Sequence, residues 1–221
     1  MLNDLPHTDF VDLLTTRLSQ PLPGQKAQFQ MAPLSRRQPA MASVEAKECR
    51  EAGVLALFYP DADGHSQLLL TKRPDMMNKH AGQIAFPGGR REPDESLMET
   101  ALRETEEEVE IPAERVDVIG ALSSLYIPPS NFCVYPFVGV IDHEPDLTVR
   151  TEEVAHMFGV PPQHLIEASM RATTVHFVGG KERTVPHFTF ADELVWGATA
   201  MMIAELAAVL DPSVLEWESL V

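Results

Sequence analysis

Residues 89–111 read GRREPDESLMETALRETEEEVEI. The run sets Glu104, Glu106, Glu107 and Glu108 beside Arg103, one short helix away from the turn Phe86-Pro87-Gly88-Gly89. Like charges at helical spacing repel by a few tenths of a kcal/mol per pair. So dense an acidic run calls for a positive partner, and a divalent metal ion is the simplest. At roughly 100° per residue, Glu104, Glu107 and Glu108 fall on one helical face. Met98, Ala101, Leu102, Thr105 and Val109 form the neighbouring apolar stripe, which turns the helix toward a core. The acids then flank the buried stripe at the edge of a cleft. Ser96 and Glu99 have capping-box spacing for the helix start. Pro112 ends the helix and pushes Ile111 toward extended geometry. Three carboxylates on one face suit Mg²⁺ or Mn²⁺, which take oxygen ligands and keep some waters. The competing reading, a solvated acidic face, is weakened by the Phe-Pro-Gly-Gly turn and by the spacing to Glu95 and Arg103.

That spacing resembles the Nudix box, G-x5-E-x7-R-E-U-x-E-E-x-G-U with U a bulky aliphatic. Gly89, Glu95, Arg103, Glu104, Glu107, Glu108 and Ile111 match it. Thr105 stands where an aliphatic is usual, and Glu110 where a glycine closes the helix. Thr105 keeps a methyl for packing. Glu110 must either take a left-handed cap, at on the order of 1 kcal/mol, or the helix ends differently. Upstream, residues 69–89 are similar to the segment of the coenzyme A diphosphatase branch, L-L-T-x-R-[SA]-x3-R-x3-G-x3-F-P-G-G. Leu69, Leu70, Thr71, Arg73, Gly82, Phe86, Pro87, Gly88 and Gly89 match in register. Pro74 replaces the small residue and Asn78 the second arginine. An arginine there can grip a phosphate bidentately, and asparagine cannot. Lys72 and Lys79 are the residues that could compensate.

The resemblance implies a three-layer α/β/α sandwich with a mixed sheet. It also implies a Mg²⁺- or Mn²⁺-dependent pyrophosphohydrolase of diphosphate-linked nucleotides. In the coenzyme A branch the products are 4′-phosphopantetheine and adenosine 3′,5′-bisphosphate. The alternatives are another such substrate, for example ADP-ribose, or a catalytically silent nucleotide-binding module. The chemistry suits the residues. A phosphoanhydride carries negative charge that repels a nucleophile, and metal held by Glu104, Glu107 and Glu108 would neutralise it and acidify or orient water. Backbone at Gly88 and Gly89 can approach metal or phosphate because no Cβ intervenes. By family analogy the Gly88 carbonyl is a further metal ligand. Arg103 holds a glutamate in place. Glu95 either pairs with Arg103, binds metal through water, or is a plain acid at the helix start. Glu106 points to solvent. For the general base, family members use a box glutamate or an acid on a distant loop. Glu193, in the run 191–197 before the last apolar helix, is the candidate, and a helix-start acid is its ordinary reading. Arg73, Lys79, His80 and Gly82 are the candidate substrate-binding residues. The loop 123–131 and the pair Met76 and Met77 either line a nucleotide pocket or are ordinary surface.

The rest of the chain sets limits. Its 221 residues, 44% apolar, suffice for one sizeable domain. We expect an N-terminal helix and connector, 1–45, packed on a Nudix domain, 46–221. A formal charge of −16 disfavours nonspecific nucleic-acid or anionic-membrane binding. The expected partner is a small nucleotide, bound with help from metal and from Lys72, Arg73, Lys79, Arg90 and Arg91; monomer and homodimer both stay open. Cys49 and Cys133 make neither a disulfide framework nor a metal spacing, and two cysteines fit a reducing cytoplasm. The first residues lack the basic start and apolar run of a signal peptide. The apolar run 194–210 contains Glu205 and reads as a buried C-terminal helix, too short for a membrane span. Periodicity predicts a helix over 8–19; strands over 53–59, 67–72, 83–86, 115–125 and 132–141; short helices over 151–157 and 162–168; and a hairpin over 174–190.

Overall fold

The structure, a computed structural model, describes the chain apart from residues 1, 34–36, 38–42, 46, 76–80, 149–150, 179–180, 219 and 221. Its spine is a parallel pair. Strand β1 (Arg50–Pro60) runs beside β7 (Phe132–Val140), from Arg50 opposite Phe132 to Phe58 opposite Val140. Both are mostly apolar because both faces of the sheet are covered. Ala52, Ala56 and Phe58 of β1 enter one core cluster, while Leu55, Leu57 and Tyr59 enter another on the opposite face. Antiparallel neighbours extend this pair. They are β2 (Ser66–Lys72), β3 (Ile84–Ala85), β4 (Gly88–Arg90), β5 (Asp117–Ala121), β6 (Leu125–Ile127) and β8 (His156–Val160). The path is β3-β2-β1-β7-β5, with β4 on β1, β6 on β7 and β8 on β2.

Helix α3 (Leu97–Val109) covers the face of Leu55 and Leu57. The other face carries α1 (His7–Leu18), α2 (Gln25–Gln28) and α5 (Gly197–Leu210), with the short α4 (Pro162–Leu165) near its edge. A second antiparallel sheet, β9 (Arg171–Val178), β10 (Lys181–Phe190) and β11 (Glu193–Trp196), adds Phe188, Phe190 and Val195 to the same core. The expected α/β/α layering with a mixed sheet is therefore present. In the N-terminal part, Phe10 and Leu14 are fully buried, and the rings of Phe10 and Phe58 lie 5.0 Å apart.

Three expectations need correction. The stretch read as a helix over 151–157 is irregular up to Ala155 and then becomes β8, paired with β2 from Leu68 opposite Val160 to Lys72 opposite His156. An open edge on β2 recruits Met157, Phe158 and Val160, and sheet pairing overrides the local signal. Residues 194–196 belong to β11, not to the last helix. Ala191 and Asp192 both take positive φ, 48° and 64°, and join β10 to β11 in a two-residue turn. Finally, Cys49 and Cys133 are joined in a disulfide, with Cα atoms 5.8 Å apart. The parallel register sets Glu51 opposite Cys133 and so brings Cys49 alongside it. The cysteines thus no longer argue for a reducing compartment. Among the described residues no helix is long and apolar enough to cross a membrane.

Candidate active site

Helix α3 is defined at both ends by side chains and backbone. Ser96 Oγ accepts from the Glu99 N–H at 3.2 Å, and a Glu99 carboxylate oxygen accepts from the Ser96 N–H at 2.7 Å, which closes the capping box. Glu110 ends the helix in the left-handed region, φ 56° and ψ 30°, with its N–H on the Glu106 carbonyl. The position thus keeps the geometry of the usual glycine, at on the order of 1 kcal/mol. Thr105 is fully buried and its hydroxyl donates to the Ala101 carbonyl at 2.7 Å, so the polar atom is satisfied inside the core. Met98 departs from the expected stripe: it is 42% exposed, and Thr100 is buried instead.

The acidic face is organised by Arg103. Its Nε and Nη2 donate to both oxygens of Glu95 at 3.1 and 3.0 Å, a two-pronged pair. Its Nη1 lies 3.0 Å from Glu104 and 3.1 Å from Glu107. Arg103 bonding, first of all, holds the Glu95 carboxyl down at about 2. The carboxylates, Glu95 foremost, push Arg103 upward in turn. Glu104 is raised by burial, against the pull of Arg103. Glu108 is buried, and one of its oxygens accepts from the Gly88 N–H at 3.1 Å. Burial, with the nearby charges of Glu104 and Glu153, pushes it up to about 7, while the Gly88 N–H and Arg73 oppose the rise. Gly88 has φ 145°, a conformation open to glycine. At Gly89 a Cβ would run into the Glu104 carboxylate, so only glycine lets that group lie against the turn.

Arg73 follows β2 and faces the same carboxylates. Its Nη1 is 3.9 Å from Glu108 and its Nη2 3.0 Å from Glu153. Among the described residues its buried Nε has no acceptor. The two sequence segments, 69–74 and 103–108, thus meet at Arg73 and Glu108. Glu104, Glu107 and Glu108 share a face, as expected, but not a common centre. Glu104 and Glu107 turn to Arg103, and Glu108 turns to Gly88. Among the described residues no three His, Cys, Asp or Glu side chains are gathered to hold a metal ion. The donor set is nevertheless all oxygen, and the missing Cβ at Gly89 keeps the carboxylate pocket open, which fits a hard divalent cation.

The sequence profile of the NUDIX domain matches residues 50–178, which include every strand and helix just described around the acids. The chain belongs to the Nudix hydrolase family. An uncharacterized Nudix hydrolase NudL of Yersinia enterocolitica is 43% identical over 141 residues, covering 63% of this chain and 72% of the relative. NudL of Yersinia pestis is 42% identical over 142 residues, covering 63% and 70%. A MutT/nudix family protein from Enterococcus faecalis, 17% identical, superposes over 87% of this chain and 77% of its own with a TM-score of 0.52, which shows a shared fold. As a member of this family the protein is a hydrolase of diphosphate-linked substrates, and such enzymes generally need divalent metal ions.

The remaining expected residues of this Nudix hydrolase are distributed as follows. Gly82 lies in the return toward β3 at φ 65°, beside the Asp75 carboxylate. Lys79 and His80 lie outside the described residues, as do Met76, Met77 and Asn78. Glu193 opens β11, and its carboxylate meets Lys72 Nζ at 2.7 Å. Thr199 at the start of α5 donates to the Ile84 carbonyl at 3.1 Å and fastens the same edge. Tyr126, in the loop 123–131, donates to Asn131 at 3.0 Å and lies under the Lys47 ammonium. Sequence reasoning missed Glu153, which faces both Arg73 and Glu108. Its only signal was an acid pair, Glu152 and Glu153, at no recognised spacing. A cavity of about 280 Å³ between Arg17, Pro21, Val209 and Leu215 sits in the layer of α1 and α5, across the sheet from the acids.

Proposed function

We propose that this Nudix hydrolase cleaves the diphosphate of coenzyme A or its thioesters, giving 4′-phosphopantetheine and adenosine 3′,5′-bisphosphate. The observation that carries the reading is the meeting of Arg73, from the coenzyme A-type segment, with Glu108, from the Nudix box. An arginine beside the box whose buried Nε has no acceptor among the described residues can grip a diphosphate oxygen where the carboxylates act. Glu104, Glu107, Glu108 and the Gly88 carbonyl would hold Mg²⁺ or Mn²⁺. The bound ion would neutralise the diphosphate and acidify the attacking water.

The chain's own residues supply the rest. Arg103, anchored by both oxygens of Glu95, orients Glu104 and Glu107. Lys72 closes β2 next to Arg73, and its ammonium pairs with Glu193 at 2.7 Å. For the water's proton we propose Glu193, whose pairing with Lys72 supports its retention at this edge. We further propose Lys79, His80 and Gly82 as substrate-contacting residues, the segment 1–45 as an extension packed on a catalytic domain spanning 46–221, and a cytoplasmic location.

One observation favours a second reading. Asn78 replaces the arginine of the coenzyme A segment, which removes a bidentate phosphate contact and favours a substrate without a 3′-phosphate, such as ADP-ribose. Turnover of coenzyme A, dephospho-coenzyme A and ADP-ribose, with products identified by mass spectrometry, separates the two. The coenzyme A reading expects the first to be hydrolysed with the highest kcat/KM. Equal rates on all three overturn it, and nucleotide binding without release of two monophosphates overturns hydrolysis altogether.

A further inference from the structure

Glu95 sits in the irregular segment between β4 and α3, directly after Asp94, which takes a positive φ of 70°. That conformation costs an L residue free energy, so contacts elsewhere must hold the segment in place. One oxygen of the Glu95 carboxylate accepts from the Glu92 N–H at 2.7 Å, the Thr100 hydroxyl at 2.9 Å and Arg103 Nη2 at 3.0 Å; the other accepts from Arg103 Nε at 3.1 Å. The Glu95 carbonyl is held by a different residue: Arg91 Nε donates to it at 2.6 Å. Arg91 is fixed in turn to β1. Its N–H donates to the Glu51 carbonyl at 3.0 Å, and its Nη1 donates to the Glu51 carboxylate at 2.7 Å. Glu51 stands opposite Cys133, the cysteine that the disulfide joins to Cys49 at the foot of the same strand. Contacts therefore run without a break from the start of β1 through Glu51, Arg91, Glu95 and Arg103 to Glu104 and Glu107.

We propose that Arg91 and Glu51 are positioning residues of this hydrolase: they clamp the backbone of Glu95 to β1, so that Glu95 holds Arg103 where it presents Glu104 and Glu107 to a divalent ion. The inference rests on the assignment of metal to those acids made above. Arg91 occupies an unspecified position of the box pattern and Glu51 lies outside it, so the motif assigns a role to neither. The geometry is that of a clamp and not of a plain surface pair. A surface pair joins charge to charge. Arg91 also donates to a neutral carbonyl, and that carbonyl belongs to the residue that anchors Arg103. A planar fork lets Nε and Nη1 serve both acceptors at once, which the single point of a lysine ammonium does not. The two side chains are 40% and 36% exposed, so their pairing adds little to global stability and its effect is local.

The test is Mn²⁺ binding to the full chain, stripped of metal with its disulfide intact, read from the electron paramagnetic resonance of the free ion at constant ionic strength. Charge alone and the clamp give opposite signs. Arg91→Gln removes a positive charge near the acids, which by itself should tighten cation binding. The clamp requires weaker binding. Loss of a group bonded directly to a metal-ligating side chain typically costs about 10- to 100-fold in affinity; Arg91 acts one residue further out, and a rise in Kd of about fivefold is expected. Arg91→Lys keeps the charge but not the fork and should also weaken binding. Arg91→Gln combined with Glu51→Gln should match Arg91→Gln alone, because both cut one line of contacts. Urea midpoints should change little in all three. Glu107→Gln separates the two readings. Unchanged Mn²⁺ binding in that variant removes the metal assignment and the clamp with it. Weakened binding there, with unchanged or tighter binding in folded Arg91→Gln and Arg91→Lys, leaves the acids as metal ligands and overturns the clamp alone. Should the arginine variants unfold, Glu51→Gln must weaken binding more than Glu48→Gln, which removes an equal charge outside the clamp; equal effects overturn the proposal.

Discussion

Replacing Glu205 tests how the parts of this fold are fastened together. Glu205 is fully buried in α5, a helix that is otherwise almost wholly apolar from Thr199 to Leu210. Its carboxylate accepts from the Gly24 N–H at 3.1 Å, from Gln28 Nε2 at 2.8 Å, and from the Ser123 N–H at 3.2 Å to each oxygen. Gly24 and Gln28 precede the Nudix match and Ser123 lies within it, so one side chain joins three parts of the chain. Glu205→Ala strands two backbone donors, at about 1–3 kcal/mol each. Gln28 Nε2 keeps the Ser123 carbonyl at 3.1 Å and loses less. Relief from burying a carboxylate offsets part of this, and we expect a net loss of roughly 3–5 kcal/mol. Glu205→Gln retains one oxygen, and Gln28 can turn its Oε1, which has no partner among the described residues, toward the new amide, so about 1–2 kcal/mol should be lost. Urea unfolding at matched pH measures both. Amide exchange should accelerate at Gly24 and Ser123 more than at the centre of β1. An alanine variant within about 0.5 kcal/mol of the parent would refute the reasoning, since surface substitutions already span that range.

Glu107→Gln and Glu108→Gln should each lower kcat by about two orders of magnitude or more at saturating Mg²⁺ with unfolding midpoints little changed, and near-normal turnover would refute the metal assignment. Gly89→Ala should depress kcat because its Cβ displaces the Glu104 carboxylate; an unchanged kcat in a folded variant would show that this approach is irrelevant to catalysis. The disulfide closes a separation of 84 residues, for which the loop-entropy relation gives about 4.5 kcal/mol at 25 °C. Denaturation curves with and without reductant should differ by most of that amount, and overlapping curves after both thiols are counted free would contradict it. His7, between Ser66 Oγ at 2.8 Å and the Ile141 carbonyl at 3.0 Å, is lowered from its ordinary 6.5, chiefly by burial. The unfolded chain then binds the proton first, so this contribution is intact above pH 6.5 and is lost as pH falls through the lowered native value. His7→Gln should flatten the dependence of unfolding midpoint on pH in that window, and an unaltered slope would exclude His7 as its source.

Local chemistry was enough to read α3, its capping box, most strands and the family, while the end at Glu110 stayed open between a left-handed cap and another ending. Those features depend on residues within a turn or two of each other, or on a spacing that one helix imposes. Features set by contacts distant in sequence were not legible. The β8 edge exists because β2 offers unpaired backbone, and residues 151–157 carry no trace of that offer. The turn at Ala191 and Asp192 lacks the Asn-Gly or Asp-Gly signal that normally marks two positive φ values. Cys49 and Cys133 meet because β1 and β7 pair in parallel, a register that no local pattern reveals. Glu205 looked like an acid interrupting an apolar run, and three distant donors turn it into a fastening. The motifs by themselves determined the helix, its acids and the class of chemistry, because covalent spacing dictates which side chains share a helical face. Only the tertiary structure decided that Arg73 lies between Glu108 and Glu153, that Arg103 gathers Glu104 and Glu107, and that Arg171 is buried against Trp217, because such neighbours are chosen by packing and desolvation over the whole chain.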